Sequence, residues 1–401
     1  MPALPQLRLE LDFMPSPVED RPGLLIRDPF GFSDTTLILP PPLVPLLRFF
    51  DGQHEDRDLH MALFEMTGDL DLEPLVRHLI DSLDHAGFLR NERFEELRDA
   101  RFHAFAESPE RLPAHAGGAY PDEPAALAGL MQRYLHPETA APRGTASIGI
   151  AAPHVSPEGG WESYRDAYLA LPEQAGERTF VILGTSHYGE PNRFGLTRKN
   201  FVTPFGAATT DRTAVDFLAR HADGAIAMED YAHAIEHSIE FQVVFLQALY
   251  GPSIKVLPIL CGPLLAAGRP EQDAALARFF DALREWRATA GGDAFWVLGV
   301  DMAHIGARYG DEEAVQAGDT RMAEVEQQDR MRIASLERGD ANEFWTHAET
   351  EKDALRWCGT APIYTFLQAV PEARASLLRY QQWNIDPQSV VSFSALTFEP
   401  R

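Results

Sequence analysis

Three apolar runs of the sequence each lead, within a few residues, to a histidine. The pairs are residues 147–152 with His154, residues 180–183 with His187, and residues 295–300 with His304. Short apolar runs that end in small or polar residues are typical of buried parallel strands that open into loops. Ligand sites of open α/β sheets collect at such carboxyl ends. A single histidine there would usually be a hydrogen-bonded structural residue, whereas three together favour a metal site.

Cys358 could complete a set of metal ligands. It lies in the segment RWCGTAPIYTF, just before a predicted helix whose backbone N–H groups would stabilise a thiolate. Two imidazoles and one thiolate suit iron(II), copper or zinc, and an open fourth position would make the site reactive. The spacing alone is unspecific, because the chain has neither HExxH nor a CxxC pair. A free cysteine is also commonly just a small buried residue.

Two further groups of polar residues could serve acid–base chemistry. His237 and Glu240 lie three positions apart in the segment EHSIEFQ and would share a helix face. Such a pair can orient a metal ligand or set a proton-transfer pKa. The alternative is a helix N-terminus whose acidic residues favour the helix dipole. Asp301 and His304 follow a predicted strand. The carboxylate could hold one tautomer of a histidine, or the pair could relay a proton. The alternative is that both residues only make hydrogen bonds within their loop.

The elements around these residues alternate between strands and helices after residue 144. Helices are predicted at residues 212–221, 235–250, 272–289, 314–338 and 362–370, and further strands at 255–260, 375–381 and 390–398. Such alternation predicts an α/β domain, residues 144–401, built on a mostly parallel sheet with helices on both faces.

Residues 1–101 have a different pattern and are predicted to form a small separate α+β domain. The expected elements are strands at 7–11, 24–27 and 36–39, an apolar segment at 41–50, two helices that stop at Gly68 and Gly87, and a closing strand from Phe88. This order predicts a winged-helix-like unit. A connector rich in proline and glycine, residues 102–143, would join it to the α/β domain, with one helix at 125–135.

The first domain is expected to bind a peptide or protein rather than DNA. Its segments LLRFFDGQHEDRDLHMALFEMTG and LVRHLIDSLDHAGFLR resemble PqqD-like peptide-recognition domains, which accompany peptide-modifying enzymes. Residues 1–115 carry 11 arginines, no lysine and 22 aspartates and glutamates, a net charge of -11. A DNA-binding winged helix should present a basic face. A docking domain without a ligand of its own is an equally good interpretation.

The composition narrows the function classes. The chain has 401 residues, 45% of them hydrophobic, which is enough for two or three domains with sizeable cores. A formal net charge of -25 opposes binding to nucleic acid or to an anionic membrane. No apolar stretch approaches the roughly 20 residues of a membrane span, and no secretory signal is visible. Two cysteines exclude a disulfide framework, so a reducing cytoplasm is the expected compartment.

From residue 148 to residue 398 the chain resembles the Memo family, whose bacterial and archaeal members are often called system protein B beside a radical-SAM partner (AmmeMemoRadiSam). The blocks that carry the resemblance follow the family order and are IAAPH, ILGTSH, EHSIEFQ, GVDMAH, WCG and SVVSFSAL. The resemblance implies a fold like that of class III extradiol dioxygenases, which are non-haem iron enzymes. It also implies a set of site residues, namely the metal ligands His154, His187 and Cys358 and the nearby polar residues His237, Asp301 and His304.

Two departures from the family pattern leave these ligands intact and affect the expected substrate pocket. Residues 155–157, VSP, replace the glycine-tyrosine that usually follows the first histidine. Residues 360–362, TAP, lack the histidine that some relatives have after WCG. The pocket shape therefore does not follow from the resemblance.

The residues and the resemblance together predict a metal-binding protein with metal-dependent redox chemistry on dioxygen. Iron(II) is the expected metal, with copper or zinc as alternatives. His304 or His237 would act as acid or base, oriented by Asp301. A thiolate ligand departs from the two-histidine, one-carboxylate set of non-haem oxygenases, so ring cleavage does not follow. Two other functions stay open: a non-enzymatic scaffold or metal carrier for a radical-SAM partner and its peptide, and hydrolysis by a zinc-bound water.

Overall fold

The computed structural model describes residues 3–16, 18, 20–69, 71–135, 147–265, 268–289, 292–350 and 354–401. The chain divides into two compact units, Met1–Glu107 and Ser108–Arg401. A helix lies at Pro124–Tyr134, where one was predicted at 125–135. Residues 136–143 of the predicted connector lie outside the described residues.

The first unit combines a small antiparallel sheet with helices. Its elements are β1 (Asp12–Pro15), β2 (Leu24–Arg27), β3 (Thr36–Leu39), a 3-10 helix (Pro41–Phe49), α1 (Asp56–Thr67), α2 (Glu73–His85) and α3 (Glu92–Glu107). The strands pair in the order β1-β2-β3. The α2 helix buries Val76, Leu79 and Leu83, which share one face at helical spacing. The winged-helix and PqqD-like assignments of this unit stay predictions.

The strand predicted at residues 7–11 is wrong. Leu7 makes only an isolated bridge to Leu89, and the strand runs at Asp12–Pro15 instead. The reason is Arg8, which is wholly buried and donates to both carboxylate oxygens of Asp28, at 2.9 and 3.1 Å. Burial of this ion pair reverses the alternation of buried leucines and exposed polar residues that the predicted strand requires, and Leu9 is 74% exposed.

The second unit is a mixed α/β structure. Its strands are β4 (Glu110–Arg111), β5 (Gly149–Ala152), β6 (Thr179–Thr185), β7 (Phe194–Leu196), β8 (Asn200–Thr203), β9 (Gly206–Thr210), β10 (Ile226–Met228), β11 (Lys255–Cys261), β12 (Phe295–Gly299), β13 (His304–Gly306), β14 (Ala373–Asp386) and β15 (Ser389–Pro400). Its helices are α4 (Pro124–Tyr134), α5 (Pro157–Tyr168), α6 (Arg212–His221), α7 (Ala232–Ile235), α8 (His237–Tyr250), α9 (Ala274–Thr289), α10 (Thr320–Arg338), α11 (Ala341–Thr350) and α12 (Thr360–Ala369).

A large, mostly parallel sheet runs through this unit, as predicted. Its order is β13-β15-β5-β12-β6-β11-β9-β8-β4, and the central strands β5, β12, β6 and β11 are all parallel. Alternate residues of β6 enter opposite layers of the core. Val181 and Leu183 pack with α6, α9 and α12, whereas Phe180 and Ile182 pack with α5 and α8. The sheet is thus covered by helices on both faces, which explains why its strands are apolar throughout.

Two predicted helices depart most from the structure. The helix expected at 235–250 is broken at Glu236, whose extended backbone separates α7 from α8. The helix expected at 314–338 begins only at Thr320, because Gly318 has a φ of 96°, a value that ends helical geometry. Among the described residues, every helix is too short or too polar to cross a bilayer.

Candidate metal centre

Three neighbouring strands deliver polar residues to one edge of the sheet. His154, Asp301 and His187 each lie two residues beyond the end of a strand, which is β5, β12 and β6 in that order. All three strands are parallel and β12 lies between the other two. Asp301 therefore lies between the loops that carry the two histidines.

Glycines let neighbouring segments approach these strand ends. A Cβ on Gly299 would lie 2.2 Å from the carbonyl oxygen of Ser238 in the first turn of α8. A Cβ on Gly359 would lie 2.7 Å from the carbonyl oxygen of Asp301. Since no side chain fits at such distances, these glycines allow α8 and the loop before α12 to pack directly against the site.

His154 is 2% exposed and is fixed at two atoms. Its backbone N–H donates to Asp301 Oδ1 at 2.9 Å, and Nδ1 lies 2.9 Å from the carbonyl oxygen of Gly299, to which it donates. The other ring nitrogen, Nε2, lies 3.3 Å from Cys358 Sγ and 3.4 Å from Asp301 Oδ2. Burial favours the neutral ring, but the negative charges of Asp301 and Cys358 outweigh burial and raise the pKa of His154 to about 9.

His187 is oriented by Glu236, the residue between α7 and α8. Its Nδ1 lies 3.0 and 3.1 Å from the two Glu236 oxygens, and its backbone N–H donates to Glu236 Oε2 at 2.8 Å. The same carboxylate accepts the N–H groups of His237 and Ser238 and so caps α8. Burial alone would raise the pKa of Glu236, but the neighbouring imidazoles lower it well below its usual value. These bonds leave Nε2 of His187 pointing away from Glu236.

Cys358 lies beside both histidine-bearing strands. Its Sγ is 3.3 Å from His154 Nε2, and its carbonyl oxygen accepts the Thr185 hydroxyl at 3.0 Å. Burial favours the neutral thiol, but the imidazoles of His154 and His304 outweigh it and hold the pKa of Cys358 well below its usual value. The imidazoles next to Cys358 therefore favour its thiolate form over the neutral thiol.

The ligand atoms of His154, His187 and Cys358 all lie within 4.8 Å of one another. In a tetrahedral site with metal–nitrogen and metal–sulfur distances of about 2.0 and 2.3 Å, neighbouring nitrogen and sulfur ligands lie roughly 3.5 Å apart. The separation of His154 Nε2 and Cys358 Sγ, 3.3 Å, is close to that value. The group of His187, Glu236 and His237 meets the same 4.8 Å limit, but the oxygens of Glu236 already cap α8 and hold His187.

His237 and His304 flank this cluster. The ring of His237 stacks on that of His187, with centroids 5.0 Å apart and an angle of 11°. Burial is the largest of the effects that lower the pKa of His237 well below its usual value, so its ring is neutral at pH 7. The ring of His304 is oriented by two backbone carbonyl oxygens. Its Nδ1 lies 2.9 Å from that of Met302 and 3.2 Å from that of Arg356.

Comparisons with known proteins show the family. A family model described as "Memo-like protein" matches residues 111–397. The chain belongs to the Memo-like protein family. A MEMO1 family protein of Aquifex aeolicus is 27% identical over 93% of this chain and 95% of its own length. Others come from Ignicoccus hospitalis, 34% identical over 37% of this chain and 55% of that protein, and Methanopyrus kandleri, 28% identical over 72% of this chain and 99% of that protein.

The resemblance to extradiol dioxygenases stays a prediction. The chain overlaps with the crystal structure of an uncharacterized protein from Escherichia coli K12 over 62% of this chain and 98% of that one. The TM-score is 0.36 and the sequence identity 11%, a likeness too weak to carry an argument.

Glu240 of this Memo-family chain serves a different part of the fold from the one expected. The sequence left it open whether Glu240 orients a metal ligand, sets a proton-transfer pKa or favours the dipole of a helix N-terminus. Its carboxylate instead pairs with the buried Arg111, accepts the Tyr120 hydroxyl, and accepts the backbone N–H groups of Ala114 and His115 at 2.9 and 3.0 Å. Glu240 therefore anchors the segment 111–120, and Glu236 is the acidic residue that orients a histidine.

Arg111 links that segment to the site. Besides pairing with Glu240, it donates to the carbonyl oxygen of Glu236 at 2.8 Å and to that of His233 at 2.7 Å. The ring of His115, in the same segment, meets the ring of His237 edge-on with centroids 5.5 Å apart. Sequence reasoning assigned these residues to a connector, because partners more than a hundred positions apart produce no local pattern.

Asp329 is a second residue that the sequence did not single out. It is wholly buried on α10 and accepts Trp357 Nε1–H on Oδ1 and the Ser392 hydroxyl on Oδ2, both at 2.6 Å. Ser392 Oγ in turn accepts the backbone N–H of Ala303 at 2.8 Å. Asp329 thus joins the loop of Cys358 to the loop that carries Asp301 and His304.

Proposed function

We propose that the chain binds a redox-active metal ion through His154 Nε2, His187 Nε2 and Cys358 Sγ. The observation that carries the proposal is the convergence of three ligand atoms within 4.8 Å, while the Nδ1 atoms are engaged by Gly299 and Glu236. Metal-ligating histidines usually bind through one nitrogen and donate the other to a carbonyl or carboxylate. The two histidines fit that arrangement.

Iron(II) is the metal that we propose, with copper or zinc as alternatives, since imidazole and thiolate ligands suit all three. Bound here, iron would supply redox chemistry with dioxygen. Three protein ligands are typical of sites that keep a position open for a reactant. His187, whose side chain is 30% exposed, lies on the accessible side of the cluster.

The surrounding side chains would act as acids or bases and would orient the metal ligands. His237 is neutral and stacked on His187, so it is available to accept a proton from a bound reactant. Asp301 holds the His154 backbone through Oδ1. His304 is the second candidate for acid or base, since its Nδ1 bonds direct Nε2 away from the backbone.

A metal carrier or scaffold for a radical-SAM partner and a zinc-dependent hydrolase are the alternative functions. A cavity of about 490 Å³ reaches His187 and Cys358. It favours an enzyme over a carrier, because concave pockets of this volume are typical of small-molecule sites.

Metal analysis of chain purified without oxygen tests the proposal. We expect near-stoichiometric iron in the unaltered protein and strongly reduced iron in Cys358→Ser, His154→Ala and His187→Ala, with the secondary structure retained. His60→Ala, which changes a histidine of the first unit, is the matched control and should keep its iron. Full metal content in all three ligand variants would show that the metal ligands are assigned wrongly.

A further inference from the structure

A cavity opens beside the candidate metal centre. It has a volume of about 490 Å³ and is bounded by the end of β6, the residues after β11, α11 and the loop before α12. His187 and Cys358 form one end of it. The wall is formed largely by apolar side chains, among them Pro263, Leu264, Leu265, Trp345, Ala348, Trp357 and Ala361.

The polar side chains of the wall are mostly engaged within the protein. The Thr185 hydroxyl donates to the carbonyl oxygen of Cys358 at 3.0 Å, and the Thr360 hydroxyl donates to that of Trp357 at 2.9 Å. Two neutral donors of the wall, Ser186 Oγ and Trp345 Nε1, are buried without a hydrogen-bond partner among the described residues. The two threonine hydroxyls are therefore taken, and Ser186, next to His187, is the hydroxyl that could bond the polar end of a ligand.

The cavity also offers no unpaired cation to an anionic ligand. Apart from His187, Arg356 is the cationic side chain among its described lining residues, and both of its terminal nitrogens contact Asp311, at 2.7 and 3.4 Å. Glu349 is exposed, so its charge lies in water. A phosphate needs a cation and a sugar needs donors and acceptors all round, whereas this wall offers two neutral donors, Ser186 Oγ and Trp345 Nε1.

We propose that this cavity binds the apolar body of a small uncharged organic substrate, whose polar end faces His187 and Cys358. Leu265 supports this reading, because it is 68% exposed at the cavity wall and would be covered by such a ligand. That the occupant is a substrate rests on the proposed metal-dependent function. That the cavity selects an apolar ligand can be measured without any metal.

The test uses the full chain labelled with 5-fluorotryptophan and observed by fluorine NMR. The chain has six tryptophans, and Trp345→Phe identifies the resonance of Trp345. The probes are acetophenone, an apolar ring with one polar end, and myo-inositol, a ring of the same size that is polar all round. We expect acetophenone to shift the Trp345 resonance saturably, with a dissociation constant of about 1 mM or tighter, and myo-inositol to leave it in place.

Two leucine variants show whether binding occurs in this cavity. Leu265→Asp introduces a charge at the wall and should weaken acetophenone binding about tenfold. Leu112→Asp changes a leucine of matched exposure, 64% against 68%, outside the lining residues and should leave the affinity unchanged. The inference is overturned if acetophenone leaves Trp345 unmoved up to its solubility limit, if myo-inositol acts equally, or if both variants lose affinity alike.

The experiment separates this inference from the proposed function. It is run on metal-free chain and repeated after addition of iron(II). A chain that binds acetophenone but takes up no iron retains the apolar site and loses the proposed metal function. A chain that takes up iron but does not bind acetophenone retains the metal function and refutes the apolar cavity.

Discussion

Each candidate histidine ligand uses Nδ1 to hold its orientation and presents Nε2 to the cluster. For His154 the partner is a backbone carbonyl, that of Gly299, whereas for His187 it is the buried carboxylate of Glu236. A carboxylate partner raises the basicity of the ring and fixes its tautomer. The two histidines should therefore respond differently to mutation of their partners, because only one partner is a side chain.

Glu236→Gln should weaken metal binding. The amide retains a hydrogen-bond acceptor for His187 but removes the negative charge, so we expect an affinity loss of about 10-fold to 100-fold. Competition with a chelator of known affinity measures it. Glu326→Gln, on the exposed face of α10, is the control and should match the unaltered chain; an equal loss in both variants would contradict the orienting role of Glu236.

Asp301→Asn should retain the metal and change its reactivity with dioxygen. The carboxylate holds the His154 backbone through Oδ1, a bond that the amide oxygen can also accept, while the charge beside Nε2 is lost. Iron content and the rate of oxidation of bound iron(II) in air are the measurements. Metal loss as severe as in Cys358→Ser would make Asp301 a ligand instead.

At the scale of elements, the site depends on loops that are tied together from outside. Asp329 on α10 joins the loop before α12 to the loop after β12, through Trp357 and Ser392. Arg111, just after the start of the second unit, fixes the break between α7 and α8 through the carbonyl oxygen of Glu236. Both residues are wholly buried. They stabilise the positions of ligand-bearing segments without belonging to the cluster.

Asp329 should make the stability of the chain depend on pH. Burial raises its pKa to about 6, from 3.8, although its hydrogen bonds oppose that shift. From about pH 4 until the pH has risen through the folded value of about 6, the native state binds more protons than the unfolded state, so the free energy of unfolding falls as pH rises. From about pH 5.5 to about pH 7.5 this amounts to about 1 kcal/mol, and Asp329→Asn should remove it.

Chemical denaturation of both proteins at the two pH values measures the effect. The difference in unfolding free energy between the unaltered chain and Asp329→Asn should change with pH in the stated direction. Asp281→Asn, at an exposed position on α9, should show the same pH dependence as the unaltered chain. A pH dependence in Asp329→Asn that equals that of the unaltered chain would contradict a raised pKa.

At the scale of the whole molecule, the candidate metal centre and the N-terminal unit belong to different parts of the chain. The family match begins at residue 111, close to the start of the unit Ser108–Arg401. The proposed ligands all lie in that unit, and the first unit is acidic. We propose that the first unit binds a peptide or protein partner, since an acidic surface attracts basic partners, does not repel neutral ones and repels DNA.

Separate expression of the two units tests this division. We expect the segment Ser108–Arg401 to retain metal as well as the full chain does. We expect the segment Met1–Glu107 to bind candidate basic peptides and not duplex DNA when titrated at physiological salt. Tight, sequence-specific DNA binding by the first segment would overturn the partner assignment, and loss of metal from the second would show that both units are needed for the site.

The sequence by itself determined the central strands and the identity of the clustered residues. Unbroken apolar runs such as residues 180–183 predict buried strands because every side chain of a strand covered on both faces must be apolar. Polar residues just after such runs must then lie at one edge of the sheet. This is why His154, His187 and His304 could be predicted to lie near one another from the sequence, and the ordered motifs added Cys358. The structure places Asp301 directly beyond β12, between the strands of His154 and His187, while His304 begins β13.

The tertiary structure alone decided which partners hold these residues. The pairing of His187 with Glu236, of Glu240 with Arg111, and of Asp329 with Trp357 and Ser392 joins positions between 28 and 129 residues apart. A helix or strand can be recognised in a sequence by the periodic spacing of its apolar residues. The contacts between distant residues depend instead on how the elements pack, which has no local pattern. Glu240 illustrates the difference, because its helical spacing from His237 is real but the buried Arg111 takes its carboxylate.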